Sequence, residues 1–213
     1  MKKPRILLAD DHSLVLEGFR RILEEEYEII GTAEDGRALL EVAERCKPHI
    51  VLLDISMPLL NGIDAARQLK KLLPDVKVIM VTMHADPAYL NEAFKAGAVG
   101  YLLKRSAGSE LTQAIRSVLN GNYFVTPLLT KGLVNWAMGE TPMPPVRQRA
   151  LTPRQREVLQ LVAEGKTVKE IAQLLNISPK TVEFHKSQIM EQLDLRTTAE
   201  LTKYAMAHGL TQP

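Results

Sequence analysis

Cysteine is almost absent. Cys46 is the only one in 213 residues, which excludes an internal disulfide framework and any cysteine-built zinc site. Long apolar runs are missing too: stretches such as Ile50 to Leu53 and Val78 to Val81 are far too short to cross a bilayer. Lys2 and Lys3 imitate the charged start of a secretion signal, but Asp10 and Asp11 break the apolar stretch after only Ile6 to Ala9. No strong charge of one sign marks the whole chain, whose 27 basic and 25 acidic residues leave a formal +2. Internal repeats are also lacking. With 46% hydrophobic and 24% charged residues the composition is ordinary globular, and the length suits two domains. A cytoplasmic protein without a membrane segment is the expectation.

Charge is unevenly placed along the chain. Residues 1–127 hold 16 Lys/Arg and 17 Asp/Glu, whereas residues 128–213 hold 11 and 8. A near-neutral half joined to a basic half points to a polyanion partner for the second alone. Between them, Thr141-Pro-Met-Pro-Pro145 blocks helix and central strand, which marks a linker over 126–147. Leu128 to Met138 reads as a short helix ahead of it, with Trp136 as an anchor on the first domain.

Residues 1–125 alternate between short β-branched runs and amphipathic stretches. The strand-like runs are Arg5–Ala9, Glu28–Ala33, Ile50–Leu53, Val76–Thr82 and Val99–Leu103. The helical ones are Leu14–Glu25, Gly36–Cys46, Ile63–Leu73, Pro87–Ala96 and Gly108–Leu119. Ser13 and Asp35 are candidate N-caps, and Gly97 a helix stop. Five βα units in succession predict an α/β, doubly wound, five-stranded parallel sheet with helices on both faces. Residues 148–213 read instead as an all-α unit of four helices: Pro153–Glu164, Val168–Leu175, Pro179–Leu193 and Thr198–His208. Thr152 and Ser178 cap two of them, each followed by a proline at the first helical position, and Gly165 ends the first.

In an open parallel sheet, ligands bind beyond the carboxyl ends of the strands. Asp10, Asp11, Asp54, Thr82 and Lys104 all fall there, so residues remote in sequence converge on one crevice. Clustered carboxylates repel and call for a divalent cation; few protein ligands and several waters suit Mg²⁺. Asp54 is then a candidate nucleophile toward a phosphoryl group, with Lys104 and the Thr82 hydroxyl as partners for phosphoryl oxygens. Turnover of phosphate esters is a competing reading, against which stand the lack of a substrate domain and of a general acid beside Asp54. A binding module that never takes phosphate is a third.

These residues carry a family likeness. Leu8-Ala-Asp-Asp-His12, Val51-Leu-Leu-Asp-Ile-Ser-Met-Pro58 with Asn61-Gly62, Val81-Thr82 and Gly100-Tyr-Leu-Leu-Lys104 resemble the receiver domain of bacterial two-component response regulators, which has a flavodoxin-like fold. The resemblance implies Asp54 as phosphoacceptor for a sensor histidine kinase. It further implies Mg²⁺ held by Asp11, Asp54 and the backbone carbonyl of Ser56, with Asp10 acting through water. Thr82 and Lys104 match the switch residues, and Tyr101 the aromatic that turns inward when Thr82 moves. Ser56 and His84 sit at the variable positions that tune phosphate lifetime. Arg105 stands where receivers often carry a proline after a cis peptide, which leaves that turn's geometry open.

In the second half, Val168–Leu175, the turn Asn176-Ile-Ser178 and the helix from Pro179 have helix-turn-helix spacing. At about 100° per residue, Val182, His185, Ile189 and Leu193 face inward, with His185 a packed, hydrogen-bonded residue. Lys180 and Lys186 suit phosphates, Thr181 a neutral phosphate contact, Glu183 a cytosine amino group and Phe184 a thymine methyl. Leu151-Thr-Pro-Arg-Gln-Arg-Glu-Val-Leu159, Lys169-Glu-Ile-Ala172 and Ile177-Ser-Pro-Lys-Thr-Val182 with His185 resemble the LuxR-type DNA-binding domain. That likeness implies base-edge contacts at Glu183, Phe184 and Ser187, and a homodimer contact through Thr198–His208 on double-stranded DNA. Together the two halves resemble a NarL/FixJ-type response regulator: a phosphorylation-controlled DNA-binding transcription regulator rather than an enzyme, with RNA polymerase a candidate partner. Cys46 is expected to pack rather than react.

Overall fold

The structure, a computed structural model, describes residues 3–130 and 151–211. These separate into two compact units. The expected linker from 131 on, with Trp136 and the proline stretch, lies outside the described residues; residues 127–130 are helical.

The N-terminal unit alternates strand and helix: β1 (Arg5–Ala9), α1 (Ser13–Leu23), β2 (Glu28–Ala33), α2 (Gly36–Cys46), β3 (Ile50–Leu53), α3 (Gly62–Leu72), β4 (Lys77–Thr82), α4 (Pro87–Lys95), β5 (Gly100–Leu103), α5 (Ala107–Leu119) and β6 (Phe124–Val125). All strand pairs are parallel, in the order β2-β1-β3-β4-β5-β6. The sheet thus has six strands where five were expected. The sixth contributes only Phe124 and Val125 against Gly100 and Tyr101, too few residues for a periodicity to register.

Hydrophobic burial holds the sheet. Ile6, Leu8, Ile50, Leu52, Ile79, Val81 and Leu102 form one face, covered by Leu16, Phe19 and Leu23 of α1 and Leu111, Ala114, Ile115 and Val118 of α5. The alternate residues Leu7, Val51, Leu53, Val78 and Met80 are equally buried, which is why these strands read as continuous apolar runs. Asp35 caps α2 as expected, accepting from the Arg37 and Ala38 amides. Ser13 does not cap α1. The chain enters that helix one residue earlier, with His12 at the N-cap, because the Asp10 carboxylate accepts the His12 amide and turns the backbone there. Gly97 follows α4 at φ +95°, and Gly165 ends the first C-terminal helix at φ +77°.

The C-terminal unit contains α6 (Pro153–Ala163), α7 (Val168–Leu175), α8 (Pro179–Leu193) and α9 (Thr198–Ala207). Val158, Leu159, Leu161, Ile171, Val182, Ile189, Leu201 and Ala205 meet in its core. Thr152 and Ser178 cap α6 and α8, each with proline next. Two further caps were not foreseen: Thr167 with Glu170, and Thr197 with Glu200, each form a reciprocal capping box. Asn176 adopts the left-handed conformation at the end of α7, which re-aims the chain into α8. No described helix is long and apolar enough to cross a membrane.

Candidate functional site

Strand order and register build the crevice. Strands β1 and β3 lie side by side where the winding of the sheet reverses, which is the position where open α/β sheets bind ligands. Ala9 pairs with Leu53, so the next residues, Asp10 and Asp54, emerge together; the Asp54 amide donates to the Ala9 carbonyl at 2.9 Å. Thr82 pairs with Leu103 in the same way, which delivers Lys104 just beyond the sheet.

Four of the five expected residues, Asp10, Asp11, Asp54 and Lys104, meet here, and Thr82 ends β4, the strand next to β3. The Lys104 ammonium lies 2.8 Å from Asp54 Oδ2 and 2.7 Å from Asp10 Oδ2. The contact to Asp54 is a hydrogen bond, while that to Asp10 is an ion pair outside hydrogen-bond alignment. Asp10 and Asp54 are 1% and 3% exposed, so little water screens them. Burial works against the Lys104 charge, but Asp54 and Asp10 outweigh it and hold its pKa above the ordinary lysine value. Asp54 Oδ1 accepts from the Ile55 amide at 2.7 Å, which fixes the carboxylate's orientation.

Thr82 is fully buried, and its Oγ1 accepts from the His84 amide at 3.3 Å. Tyr101 points inward, and its hydroxyl donates to the His84 carbonyl at 2.9 Å. Burial pushes the Tyr101 phenol far up, so it remains a donor at any working pH. His84 lies two residues beyond β4. Its Nε2 lies 2.7 Å from Ser56 Oγ, and its ring stacks on Tyr89 at 4.1 Å between centroids. Burial lowers the His84 pKa, favouring neutral imidazole. Lys104 to Ser106 form a short 3₁₀ turn, with no cis peptide among the described residues.

One group of described side chains can hold a metal ion: Asp10, Asp11, His12 and Asp54, whose donor atoms all lie within 4.8 Å of one another. Asp11 Oδ1 is buried and accepts no hydrogen bond, a condition that suits a divalent cation, whereas the buried Asp10 Oδ2 is already ion-paired to Lys104. Three contributors were missed. His12 is one. Gly62 is another: a Cβ there would stand 1.9 Å from the Asp54 carbonyl oxygen, so only glycine lets α3 start against this loop. Thr126 is the third, fully buried, its Oγ1 accepting the Leu103 amide just before Lys104. The motif context flags Gly62; no sequence pattern flags Thr126.

On α8, Val182 and Ile189 are buried, while Lys180, Glu183 and Ser187 are exposed and Lys186 half-buried. Phe184 is 60% exposed, an unusual place for a large apolar ring. Thr181 is half-buried, and its hydroxyl bonds the Ser178 cap at 2.8 Å. His185 is half-buried but, among the described residues, meets Phe184 edge-on at 5.8 Å rather than forming the expected hydrogen bond.

Comparison with known proteins agrees with both halves. Residues 6–116 match the response regulator receiver domain, and residues 149–205 match the bacterial regulatory proteins of the luxR family. The transcriptional regulatory protein MctR of Rhizobium johnstonii is 37% identical over 98% of this chain and 95% of its own. The oxygen regulatory protein NreC of Staphylococcus epidermidis is also 37% identical, over 98% of this chain and 99% of its own. Among solved structures, the Salmonella typhimurium RcsB response regulator superposes with a TM-score of 0.65 at 30% identity, covering 100% of both chains. An RcsB–DNA complex does so with a TM-score of 0.60 at 30% identity, over 97% of this chain and 99% of that one. An α/β receiver and a luxR-type helix-turn-helix in one polypeptide place this chain in the response regulators, the family of DNA-binding transcription regulators driven by two-component signalling.

Proposed function

We propose that Asp54 is the phosphoacceptor for a sensor histidine kinase and that its phosphorylation controls DNA binding by the C-terminal unit. The observation that carries this is Lys104 joining Asp54 and Asp10 at the mouth of the β1–β3 crevice, 2.8 Å and 2.7 Å away. An Asp54 carboxylate oxygen attacks phosphorus, the phosphorus–nitrogen bond of the donor phosphohistidine breaks, and the electron pair stays on the departing imidazole. Asp11, Asp54 and the Ser56 carbonyl would hold Mg²⁺, with Asp10 acting through water, and the convergence of the Asp10, Asp11 and Asp54 donor atoms within 4.8 Å supports that assignment. When bound, Mg²⁺ neutralises charge on the transferring phosphoryl oxygens. Lys104 gives up its hold on Asp54 to pair with a phosphoryl oxygen, and the Thr82 hydroxyl turns from the His84 amide toward another. That movement loosens the segment from Thr82 to His84, on which the Tyr101 hydroxyl is seated.

In this reading residues 1–125 are the receiver, 126–147 the linker and 148–213 the DNA-binding domain. On DNA, Lys180, Thr181 and Lys186 meet phosphates and Glu183, Phe184 and Ser187 meet base edges. A two-fold homodimer reads half-sites about one helical turn apart. The protein works in the cytoplasm, where RNA polymerase is within reach. Two measurements test this. Incubation with acetyl phosphate and Mg²⁺ should add one phosphoryl group to the intact mass, and Asp54→Ala should abolish the gain. Footprinting on the operator should then show tighter binding by the phosphorylated chain; equal affinity in both states would defeat the switch.

A further inference from the structure

Receiver chemistry accounts for the carboxylates of the crevice and leaves His12 without a role. Its position is not that of an idle surface residue. The backbone of His12 is anchored to the crevice, since its amide donates to Asp10 Oδ1 at 3.0 Å. The imidazole is turned the same way: Nδ1 lies 3.1 Å from Asp10 Oδ1 and 2.8 Å from Asp11 Oδ1. Only the contact to Asp10 has hydrogen-bond alignment; Asp11 Oδ1 is buried yet accepts no hydrogen bond.

Such spacing has a chemical meaning. Donor atoms bound to one metal at about 2.0–2.2 Å sit roughly 3 Å apart along the edges of the coordination shell. Nδ1 meets that condition with Asp10 Oδ1 and with Asp11 Oδ1 before any ion arrives, and Asp54 offers a further donor within the 4.8 Å group. The donor set is therefore mixed, one imidazole nitrogen with carboxylate oxygens. Mg²⁺ is a hard ion that favours oxygen and retains its water. Imidazole suits first-row transition metals, whose affinity for nitrogen donors rises along the series toward copper and zinc.

We infer that His12 Nδ1 is a ligand for a transition-metal dication, Zn²⁺ in the first instance, which competes with Mg²⁺ for the Asp11 and Asp54 carboxylates. This rests on the reading of the crevice as a divalent-cation site and adds the nitrogen ligand and the second class of ion. His12 also has room to act: its side chain is 54% exposed, so the ring reorients without disturbing the core.

The test is calorimetric titration of the full chain with Zn²⁺ alone, Mg²⁺ alone, and Zn²⁺ in the presence of Mg²⁺. Zn²⁺ should bind more tightly and be weakened by Mg²⁺. His12→Asn keeps a good N-cap residue and should reduce Zn²⁺ affinity by about tenfold or more, lowering it much further than Mg²⁺ affinity so that the Zn²⁺ preference falls. Asp11→Asn should weaken both ions. In the Cu²⁺-loaded chain, pulsed electron paramagnetic resonance should show an imidazole nitrogen that disappears in His12→Asn. Equal Zn²⁺ affinity in wild type and His12→Asn, or a nitrogen signal that survives the substitution, overturns the inference. The parent reading fails separately, through absence of Mg²⁺ binding or of acetyl phosphate labelling in the wild-type chain.

Discussion

Gly62 and Thr126 show how single residues outside the chemistry hold it in place. A Cβ on Gly62 would overlap the Asp54 carbonyl oxygen at 1.9 Å, and the neighbour is backbone that cannot rotate away. Gly62→Ala should therefore destabilise the α/β unit by about 3 kcal/mol, read as a lower urea midpoint at unchanged m-value. It should also slow acetyl phosphate labelling, because the loop carrying Asp54 must move. Thr126 acts from the other side of the crevice. Its hydroxyl oxygen accepts the Leu103 amide at 3.0 Å, and its own amide donates to the Tyr101 carbonyl at 2.9 Å. Thr126→Val preserves shape but orphans a buried N–H, at a cost of about 1–3 kcal/mol. Thr126→Ser should recover most of it in the same denaturation assay.

Helix α7 shows what an element needs beyond apolar periodicity. Its eight residues are too few to be stable alone, so the capping box at its start matters. The Thr167 hydroxyl donates to Glu170 Oε2 at 2.7 Å, and the Thr167 amide donates to the same oxygen at 2.7 Å. These bonds, the hydroxyl first and the backbone amide second, hold the Glu170 carboxyl below its usual pKa. A depressed carboxyl pKa means stabilisation that is present above the unfolded value of 4.5 and lost as pH falls through the folded value. Amide exchange in the first turn of α7 should consequently accelerate as pH is lowered past that point, after correction for intrinsic rates. Glu170→Gln, which keeps an acceptor but cannot titrate, should flatten the response. The T-x-x-E spacing at Thr167 and Thr197 was visible as a pattern all along, whereas the His12 cap of α1 was hidden because Asp10, not a hydroxyl, sets that turn.

For the whole molecule, the family assignment joins an acidic crevice in one unit to a solvent-facing helix in the other. Exposed Lys180 and Glu183 should report differently on DNA. Lys180→Ala should weaken binding to all sequences alike and lower the salt slope of log K by about one. Glu183→Ala should shift base preference at one position by about 1–3 kcal/mol. Binding of fluorescent duplexes across a salt series and an operator mutant panel measures both.

Chain order alone determined the βα alternation, the helical second half and the positions of Asp10, Asp11, Asp54, Thr82 and Lys104, because apolar period and residue type are local properties. Parallel strands with known ends then require those polar residues to share one pole of the sheet. Tertiary structure decided the rest. Strand register set Asp54 beside Asp10, the short β6 placed Thr126 behind Leu103, and the turn after β1 aimed His12 at two carboxylates. These depend on where a neighbour's backbone donors and acceptors fall, and no spacing along a single chain encodes that.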